Sequence, residues 1–345
     1  MSSWSQGREI LETKGIRRRG SKKRFRYEWP DGRKVGGSHI DRIENLVIPP
    51  AWKNVRIAPE ADADLQAIGE DGRGRTQYLY HEDFRQQREM EKFVRIVEFA
   101  ETLPRLRRRV SRDLRGDDLS WDRVVAGAVR LLDQAFFRIG NERSAREDET
   151  FGLTTLTPDH LRIEKNTVHF EFTGKWGKVQ KRAVRDAAVA KLIRQMIEAG
   201  DGEVFKYERS GQIYDLKGRH VNDYIQDVAG EEFSAKDFRT WAGTVVASTV
   251  LAMIEPAETE SKRKRQITQA VKSTSEILGN TPAVCRSSYI CPRLLVEFSD
   301  GRSFEGMRVA SRRKVVAKTR LSVQEQALVR FLRETIADRR SAPRK

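Results

Sequence analysis

The spacing of apolar residues changes near residue 83 of this chain, and this change limits the folds that the chain can adopt. Before it, short strand-like runs alternate with Gly, Pro and Asp turns; the runs are residues 25–29, 42–48, 55–57 and 77–80. After it, Phe84, Phe93 and Ile96 begin a long helical pattern. We therefore expect a small β-rich domain over residues 1–90 and a larger, mostly α-helical domain over residues 91–345.

One β-like segment interrupts the helical part. Residues 161–179 contain alternating apolar side chains around an Asn166-Thr167 turn, which predicts a β-hairpin or small sheet. The main helices predicted around it span residues 124–139, 183–199, 221–228, 236–254 and 266–278. Helix-start signals are Ser234 with Asp237, Thr281 with Pro282, and Ser322 with Glu325. The fold class is therefore α+β, with a β-hairpin inserted in the helical domain.

The chain is strongly basic, with 66 Lys and Arg against 50 Asp and Glu and a net charge of +16. Much of the positive charge lies in four runs, at residues 14–26, 105–109, 262–265 and 312–314. Such runs fit a polyanion, and duplex DNA is the densest common one. A membrane surface is the other candidate, but none of the runs lies on an obvious amphipathic helix. We therefore expect duplex DNA as the partner and no membrane interaction.

Several common catalytic signatures are missing from the sequence. It has no Walker A loop, no G-x-S-x-G elbow, no H-E-x-x-H and no set of zinc ligands, so we expect neither a metal nor a small-molecule cofactor. The two cysteines, Cys285 and Cys291, are too few for a disulfide framework, which favours a reducing cytoplasm. We expect both thiols to pack in the core.

Four short segments carry the residues suited to chemistry on a phosphodiester. Arg138 lies at the end of an apolar predicted helix and is followed by Gly140. Lys175 in residues 172–177 is predicted at the tip of a β-hairpin, and the other two segments are Lys236-x-x-Arg239 and Asn280 with Tyr289. Arginines are fixed cations that clamp phosphate oxygens, and a tyrosine hydroxyl can act as a nucleophile. Each residue also has a structural interpretation, such as an Arg239–Asp237 ion pair or Gly140 as a helix C-terminal glycine.

Taken in order, these segments closely resemble the type IB DNA topoisomerases, in particular their small poxvirus-like bacterial branch. That family carries Arg, a hairpin Lys, Lys-x-x-Arg, His and Tyr, and the separations of 37 residues from Arg138 to Lys175 and nine from position 280 to Tyr289 fit it. Residues 48–52 and 74–81 look like N-terminal motifs of the same branch, so the resemblance covers roughly residues 25–300.

The resemblance implies the catalytic fold shared with tyrosine recombinases. We expect a monomer, since one chain carries the whole set, that clamps DNA between two lobes and is associated with the bacterial nucleoid in the cytoplasm. The resemblance also implies that supercoiled DNA is relaxed without ATP or metal, through a 3′-phosphotyrosyl intermediate and strand rotation. Tyr289 would be the nucleophile, Lys175 the general acid, and Arg138 and Arg239 the groups that stabilise the transition state. Asn280 stands where the family has His, and it can donate a hydrogen bond to phosphate but no proton.

We expect further DNA contacts from a polar and aromatic N-terminal strand and from the two motifs around the site. These candidates are Arg75, Gln77, Tyr78, Tyr80, Gly140 and Lys236. Two other functions stay open. A tyrosine recombinase shares the arrangement but typically has His-x-x-Arg as its third motif, and a non-catalytic DNA-binding protein would explain Asn280.

Overall fold

The computed structural model describes residues 3–21, 24–304, 306–307 and 319–341. Two parts of the sequence discussed above lie outside these residues: Lys22 and Lys23 of the first basic run, and the whole run at 312–314. The chain divides into two units, Met1–Lys92 and Phe93–Lys345. No described helix is both long and apolar enough to cross a lipid bilayer.

The first unit is built on an antiparallel sheet of five strands in the order β2-β1-β3-β4-β5. The strands are β1 (Ile16–Ser21), β2 (Arg24–Glu28), β3 (Lys53–Ile57), β4 (Leu65–Glu70) and β5 (Thr76–Tyr80), with helices α1 (Ser3–Lys14) and α2 (Gly37–Asn45). Ile16, Val55 and Ile57 from this sheet are buried in a small core. The predicted strands at 25–29, 55–57 and 77–80 are confirmed.

The strand predicted at residues 42–48 is wrong, because most of that segment lies in or just after helix α2. Ile40, Ile43 and Leu46 recur every third residue and all pack into the same core, which is helical spacing rather than alternation. Strand β4 was missed because it is buried along most of its length and therefore shows no alternation.

The second unit is mainly helical. Its helices are α3 (Glu82–Asp113, which begins in the first unit), α4 (Trp121–Ala135), α5 (Glu142–Asp148), α6 (Ala187–Glu198), α7 (Gly218–Ala229), α8 (Ala235–Ala252), α9 (Glu260–Leu278), α10 (Pro282–Ser288), α11 (Pro292–Ser299) and α12 (Val323–Ser341). An antiparallel sheet contains β6 (Leu161–Glu164), β7 (Thr167–Gly174) and β8 (Lys178–Arg185), and a second pairs β9 (Lys206–Arg209) with β10 (Gln212–Asp215). The predicted inserted hairpin is confirmed as β6 and β7.

Two of the differences between the predicted and observed helix bounds bear on the site. Helix α4 ends at Ala135 and not at residue 139, because Phe136 adopts the left-handed conformation with φ 58°. Residues 183–185 belong to strand β8 and not to a helix; helix α6 starts only after Asp186, whose carboxylate accepts hydrogen bonds from the first turn. The sheet therefore has a third strand that the sequence analysis missed.

Helix α12 is fixed to the rest of the unit by a buried ionic cluster. The Arg107 guanidinium donates to the carboxylates of both Asp133 and Glu325, with N···O distances of 2.8–2.9 Å. Glu325 also accepts from Trp241 Nε1 at 2.9 Å and from the Ser322 backbone N–H at 2.7 Å, so the predicted capping box of α12 is confirmed. One carboxylate thus joins α12 to α3 and α8.

Glu325→Gln is expected to destabilise the protein by about 2 kcal/mol, since it leaves a buried guanidinium with one carboxylate instead of two. Burial raises the pKa of Glu325, but the Arg107 hydrogen bond and charge outweigh burial and hold it below 4.5. Because the pKa of Glu325 is lower in the folded than in the unfolded protein, its ionised carboxylate stabilises the fold at neutral pH, and this stabilisation is lost in acid. The difference in unfolding free energy between the variant and the parent therefore shrinks as the pH falls below 4.5.

Urea denaturation at pH 7 and in acid measures this difference. The matched control is Glu334→Gln on the same helix, whose exposed pair with Arg302 at 3.5 Å contributes little. Equal stability of the Glu325 and Glu334 variants at pH 7 would contradict the role given to the buried cluster.

Candidate active site

Arg138 lies three residues beyond the end of α4, in a segment held by backbone hydrogen bonds. Leu153 N–H donates to the Arg138 carbonyl at 2.8 Å, and Thr154 N–H donates to the Ile139 carbonyl at 2.7 Å. The two segments approach so closely that a Cβ on Gly152 would lie 2.5 Å from Gly140 Cα. Gly140 has φ 103°, a conformation that favours glycine, and its lack of a side chain lets the segment after Arg138 lie against Gly152. It is not the C-terminal glycine of α4.

Arg239 is in the first turns of α8 and is almost fully buried, with 4% of its surface exposed. One terminal nitrogen donates to the Phe136 carbonyl, and the other donates to the Leu278 carbonyl at 2.8 Å. The guanidinium therefore joins the ends of α4 and α9. Asp237 does not pair with Arg239; it pairs with Arg95 at 3.2 Å.

Asn280 sits in the turn between α9 and α10, directly after Gly279. Gly279 has φ 64°, and a Cβ there would overlap the Gln180 side chain at 2.0 Å. The Asn280 side-chain oxygen accepts a hydrogen bond from Arg138 Nη2. Its Nδ2 is buried and has no hydrogen-bond partner among the described residues, so the carboxamide offers an unused donor beside Arg138.

Tyr289 ends α10 and is half-buried against α8. Its backbone carbonyl accepts from Thr244 Oγ1 at 3.3 Å, and a Cβ on Gly243 would lie 2.5 Å from that carbonyl oxygen. The aromatic ring lies against Arg239, with 5.1 Å from the guanidinium carbon to the ring centroid. Helix α8 therefore supplies both the cation beside Tyr289 and the small residue that lets its backbone approach.

The charges around Tyr289 favour its ionised form. Burial raises the pKa of the phenol, but the charge and hydrogen bond of Arg239, followed by the charges of Arg138 and Lys236, together lower it below its ordinary value. Burial and the neighbouring Arg138 lower the pKa of Arg239 to about 10, so this group stays cationic at neutral pH. The Tyr289 phenol therefore loses its proton more easily in the protein than it would in water.

The structure thus brings Tyr289, Arg138, Arg239 and Asn280 together. Lys236 is exposed one turn before Arg239 and acts on Tyr289 through its charge. Lys175 lies at the exposed tip between β7 and β8 and, within the described residues, makes no hydrogen bond or ion pair with those four. The base of that hairpin does reach the site, because Lys178 Nζ donates to the Asn280 carbonyl at 2.8 Å.

The N-terminal candidates belong to the first unit. Arg75 pairs with Asp71 at 2.8 Å, and Gln77 Nε2 donates to the same carboxylate at 2.9 Å. Tyr78 and Tyr80 stack with ring centroids 6.4 Å apart. Tyr78 and Tyr80 also pack against a small core that contains Leu11 and Leu65. The DNA contacts of these N-terminal candidates stay a prediction.

Sequence analysis missed four residues that build the site: Gly243, Thr244, Lys178 and Arg182. Arg182 donates to the Ile277 carbonyl at 2.9 Å, on the same face of β8 as Lys178 and Gln180. Within residues 178–185 only Val179, Ala183 and Val184 are apolar, so no alternation of apolar side chains marks this strand in the sequence. Within the described residues, no group of three or more His, Cys, Asp and Glu side chains gathers as metal ligands would.

Comparison with known proteins gives two family matches. Residues 81–291 match a family described as eukaryotic DNA topoisomerase I, catalytic core, and residues 24–71 match one described as bacterial DNA topoisomerase IB, N-terminal domain. The first range spans all the candidates in the second unit.

Individual relatives carry related descriptions. DNA topoisomerase 1B of Acanthamoeba polyphaga mimivirus is 31% identical over 299 residues, covering 84% of this chain and 89% of that protein. DNA topoisomerase 1B of vaccinia virus strain Western Reserve is 24% identical over 247 residues, covering 70% and 74%. DNA topoisomerase 1 of Mycosarcoma maydis is 26% identical over 192 residues, covering 50% of this chain and 19% of that protein.

Proposed function

The chain belongs to the type IB DNA topoisomerase family, and from this premise we propose that it relaxes supercoiled duplex DNA through a covalent intermediate on Tyr289. The assignment of residues rests on one observation. The Tyr289 phenol, two arginine guanidiniums and a carboxamide with an unused N–H donor lie close together. That set matches the needs of reversible phosphodiester cleavage.

In the cleavage step, the Tyr289 phenolic oxygen attacks phosphorus and the bond to the 5′ oxygen breaks. The phenolic proton passes to water, and the strand is left with a 3′-phosphotyrosyl bond and a free 5′-hydroxyl. This exchange of one ester for another conserves the bond energy, so resealing needs no ATP. After the cut strand has rotated about the uncut strand, the 5′-hydroxyl attacks phosphorus and the bond to Tyr289 breaks.

Negative charge builds up on the equatorial phosphate oxygens in the transition state. Arg138 and Arg239 offer fixed cations there, and each such group typically contributes about 10²–10³ in rate. The departing 5′ oxygen is about as basic as hydroxide and needs a proton. Lys175 can supply it, because an ammonium group is a far stronger acid than an alcohol.

We also propose that one chain acts alone on duplex DNA without a cofactor, since a single chain carries the whole set. Within this proposal the second unit has the catalytic fold shared with tyrosine recombinases. The first unit contributes DNA contacts through β5, and the protein works at the bacterial nucleoid. The net charge of +16 supports the attraction to DNA.

The experiment that tests the function is relaxation of negatively supercoiled plasmid in EDTA without ATP, stopped with SDS. We expect relaxed circles and protein attached to the 3′ side of a nick. Binding should weaken steeply with salt, by about 10³–10⁵ between 50 and 200 mM if ~6–10 phosphates are contacted. A protein that binds plasmid but relaxes none of it across this salt range would be a non-catalytic DNA-binding protein.

Asn280→Asp is expected to slow cleavage by about 10², because it removes one hydrogen-bond donor from the phosphate site. The change is isosteric and keeps the oxygen that accepts from Arg138, so only the unused Nδ2 donor and the local charge differ. Single-turnover cleavage of a radiolabelled duplex measures the rate. Asn222→Asp, at a residue that caps α8 through Ala235 N–H, is the control and should cleave normally.

A parent-like rate for Asn280→Asp would show that the Asn280 amide makes no contact with the reacting phosphate.

A further inference from the structure

We infer that Trp176 contacts the bases of duplex DNA beside the scissile linkage and thereby influences where the strand is cut. This inference rests on the proposed function, since it takes DNA as the substrate and Lys175 as the acid for the leaving oxygen. It concerns a residue to which neither the motif pattern nor the family matches give a role.

The first observation is the exposure of the indole. Trp176 has 75% of its surface exposed, whereas Trp29, Trp52, Trp121 and Trp241 are all buried or half-buried. Tryptophan has the largest apolar surface of any side chain and is normally well covered. Val179, on the adjoining strand β8, is also 58% exposed. The hairpin tip therefore presents an apolar surface to solvent.

The second observation is the backbone of the tip. Trp176 has φ 68° and ψ 24°, and the next residue, Gly177, also has φ 68°. Turns with two successive left-handed residues strongly favour Asn-Gly, because a bulky side chain is unfavourable at the first position. A tryptophan held there at a conformational cost points to a use for its side chain.

The third observation is the charge around the indole. Lys175 Nζ lies 5.2 Å from the centroid of the indole, and Lys178 Nζ is bound to the Asn280 carbonyl at the base of the same tip. An exposed aromatic ring with one cation beside it and a second cation two residues further along the chain suits a partner with an anionic backbone and flat bases. Duplex DNA has both properties, and exposed aromatic side chains bind bases by stacking or by wedging between base steps.

These observations locate the contact. Lys175 must reach the 5′ oxygen of the scissile linkage to protonate it, which brings the tip to that linkage. Trp176 is the next residue, and its indole adjoins the Lys175 ammonium. The bases within its reach are therefore those flanking the cut.

The contact can be read directly from the fluorescence of Trp176. The emission of Trp176 is obtained by subtracting the fluorescence spectrum of the Tyr289→Phe/Trp176→Phe protein from that of the Tyr289→Phe protein. Quenching of this emission by acrylamide is then measured with and without a short duplex. DNA binding is followed independently by the anisotropy of a labelled duplex. We expect DNA to shield the Trp176 emission from acrylamide. Unchanged quenching with the duplex fully bound would overturn the inference.

The contribution to affinity and site choice is measured with Trp176→Asn. Asparagine tolerates the left-handed conformation, so the turn is kept and the melting temperature should not fall. We expect this variant to bind duplex about tenfold more weakly and, with Tyr289 intact, to alter the relative use of cleavage sites on a plasmid. Trp176→Phe keeps a flat aromatic face and should retain the parental cleavage map. A parental map and affinity in Trp176→Asn would also overturn the inference.

Failure of the proposed function has a different signature. If DNA shields Trp176 while the parent protein forms no covalent complex, the base contact stands and the assignment of the Tyr289 chemistry is wrong. If the covalent complex forms while Trp176 stays open to acrylamide, the chemistry stands and the Trp176 contact is wrong.

Discussion

Tyr289→Phe is expected to abolish both the covalent protein–DNA complex and plasmid relaxation while leaving DNA binding intact. The substitution removes only the phenolic oxygen. The ring can keep its place 5.1 Å from the Arg239 guanidinium, so the fold and the phosphate site should persist. SDS gels of a radiolabelled duplex detect the covalent complex, and anisotropy of the same duplex measures binding.

Tyr214→Phe is the matched control, since Tyr214 is an exposed tyrosine of the same unit whose hydroxyl only donates to Gln212. It should behave as the parent does. A covalent complex that survived in Tyr289→Phe would place the nucleophile elsewhere. Tyr224 is a poor substitute, because burial and the carboxylate of Asp113 raise its pKa far above the ordinary value.

Arg239→Ala is expected to slow single-turnover cleavage by about 10³, the upper range for losing one preorganised group at a developing charge. The same change removes the largest influence that lowers the pKa of Tyr289 and leaves part of its burial in place. The pKa of Tyr289 therefore rises, and the pH at which cleavage reaches half its maximal rate moves upward. Cleavage rates across pH 6–10, with ultraviolet titration of the phenol, measure both effects.

Arg239 also donates to two backbone carbonyls, those of Phe136 and Leu278, so its loss has a structural cost as well. Arg239→Lys separates the two roles, because it keeps a cation but not the fork geometry. We expect the lysine variant to restore part of the parental pH profile but little of the rate. If Arg239→Ala lost stability yet kept both the parental rate and the parental pH profile, the guanidinium would be purely structural.

The sequence was enough to single out candidate residues that the structure brings together, but not to predict their arrangement. Motif order singled out Tyr289, Arg138 and Arg239, and helix caps such as Thr281 with Pro282 placed α10 correctly. Nothing local indicated that α4 would end at Ala135, which puts Arg138 in an irregular segment held by Leu153 and not at a helix end. That result depends on tertiary hydrogen bonds.

Two contacts show why the remaining details could not be predicted. Asp237 lies two residues before Arg239 in the sequence, but it pairs with Arg95, which is distant in the sequence. The oxygen of Asn280 is used by Arg138, so the amide group stays available; a residue name alone does not fix that orientation. Strand β8 was missed because Ala183 and Val184 continue into the apolar pattern of helix α6.

The cluster that joins α12 to α8 has a consequence for the order of events during synthesis. Arg107 and Trp241 are translated well before Glu325, the carboxylate that binds them both. A nascent chain can therefore already contain Tyr289 while the helix beneath its active site still lacks this anchor. We therefore expect the contact between α8 and α12 to be among the last to form as the chain is synthesised.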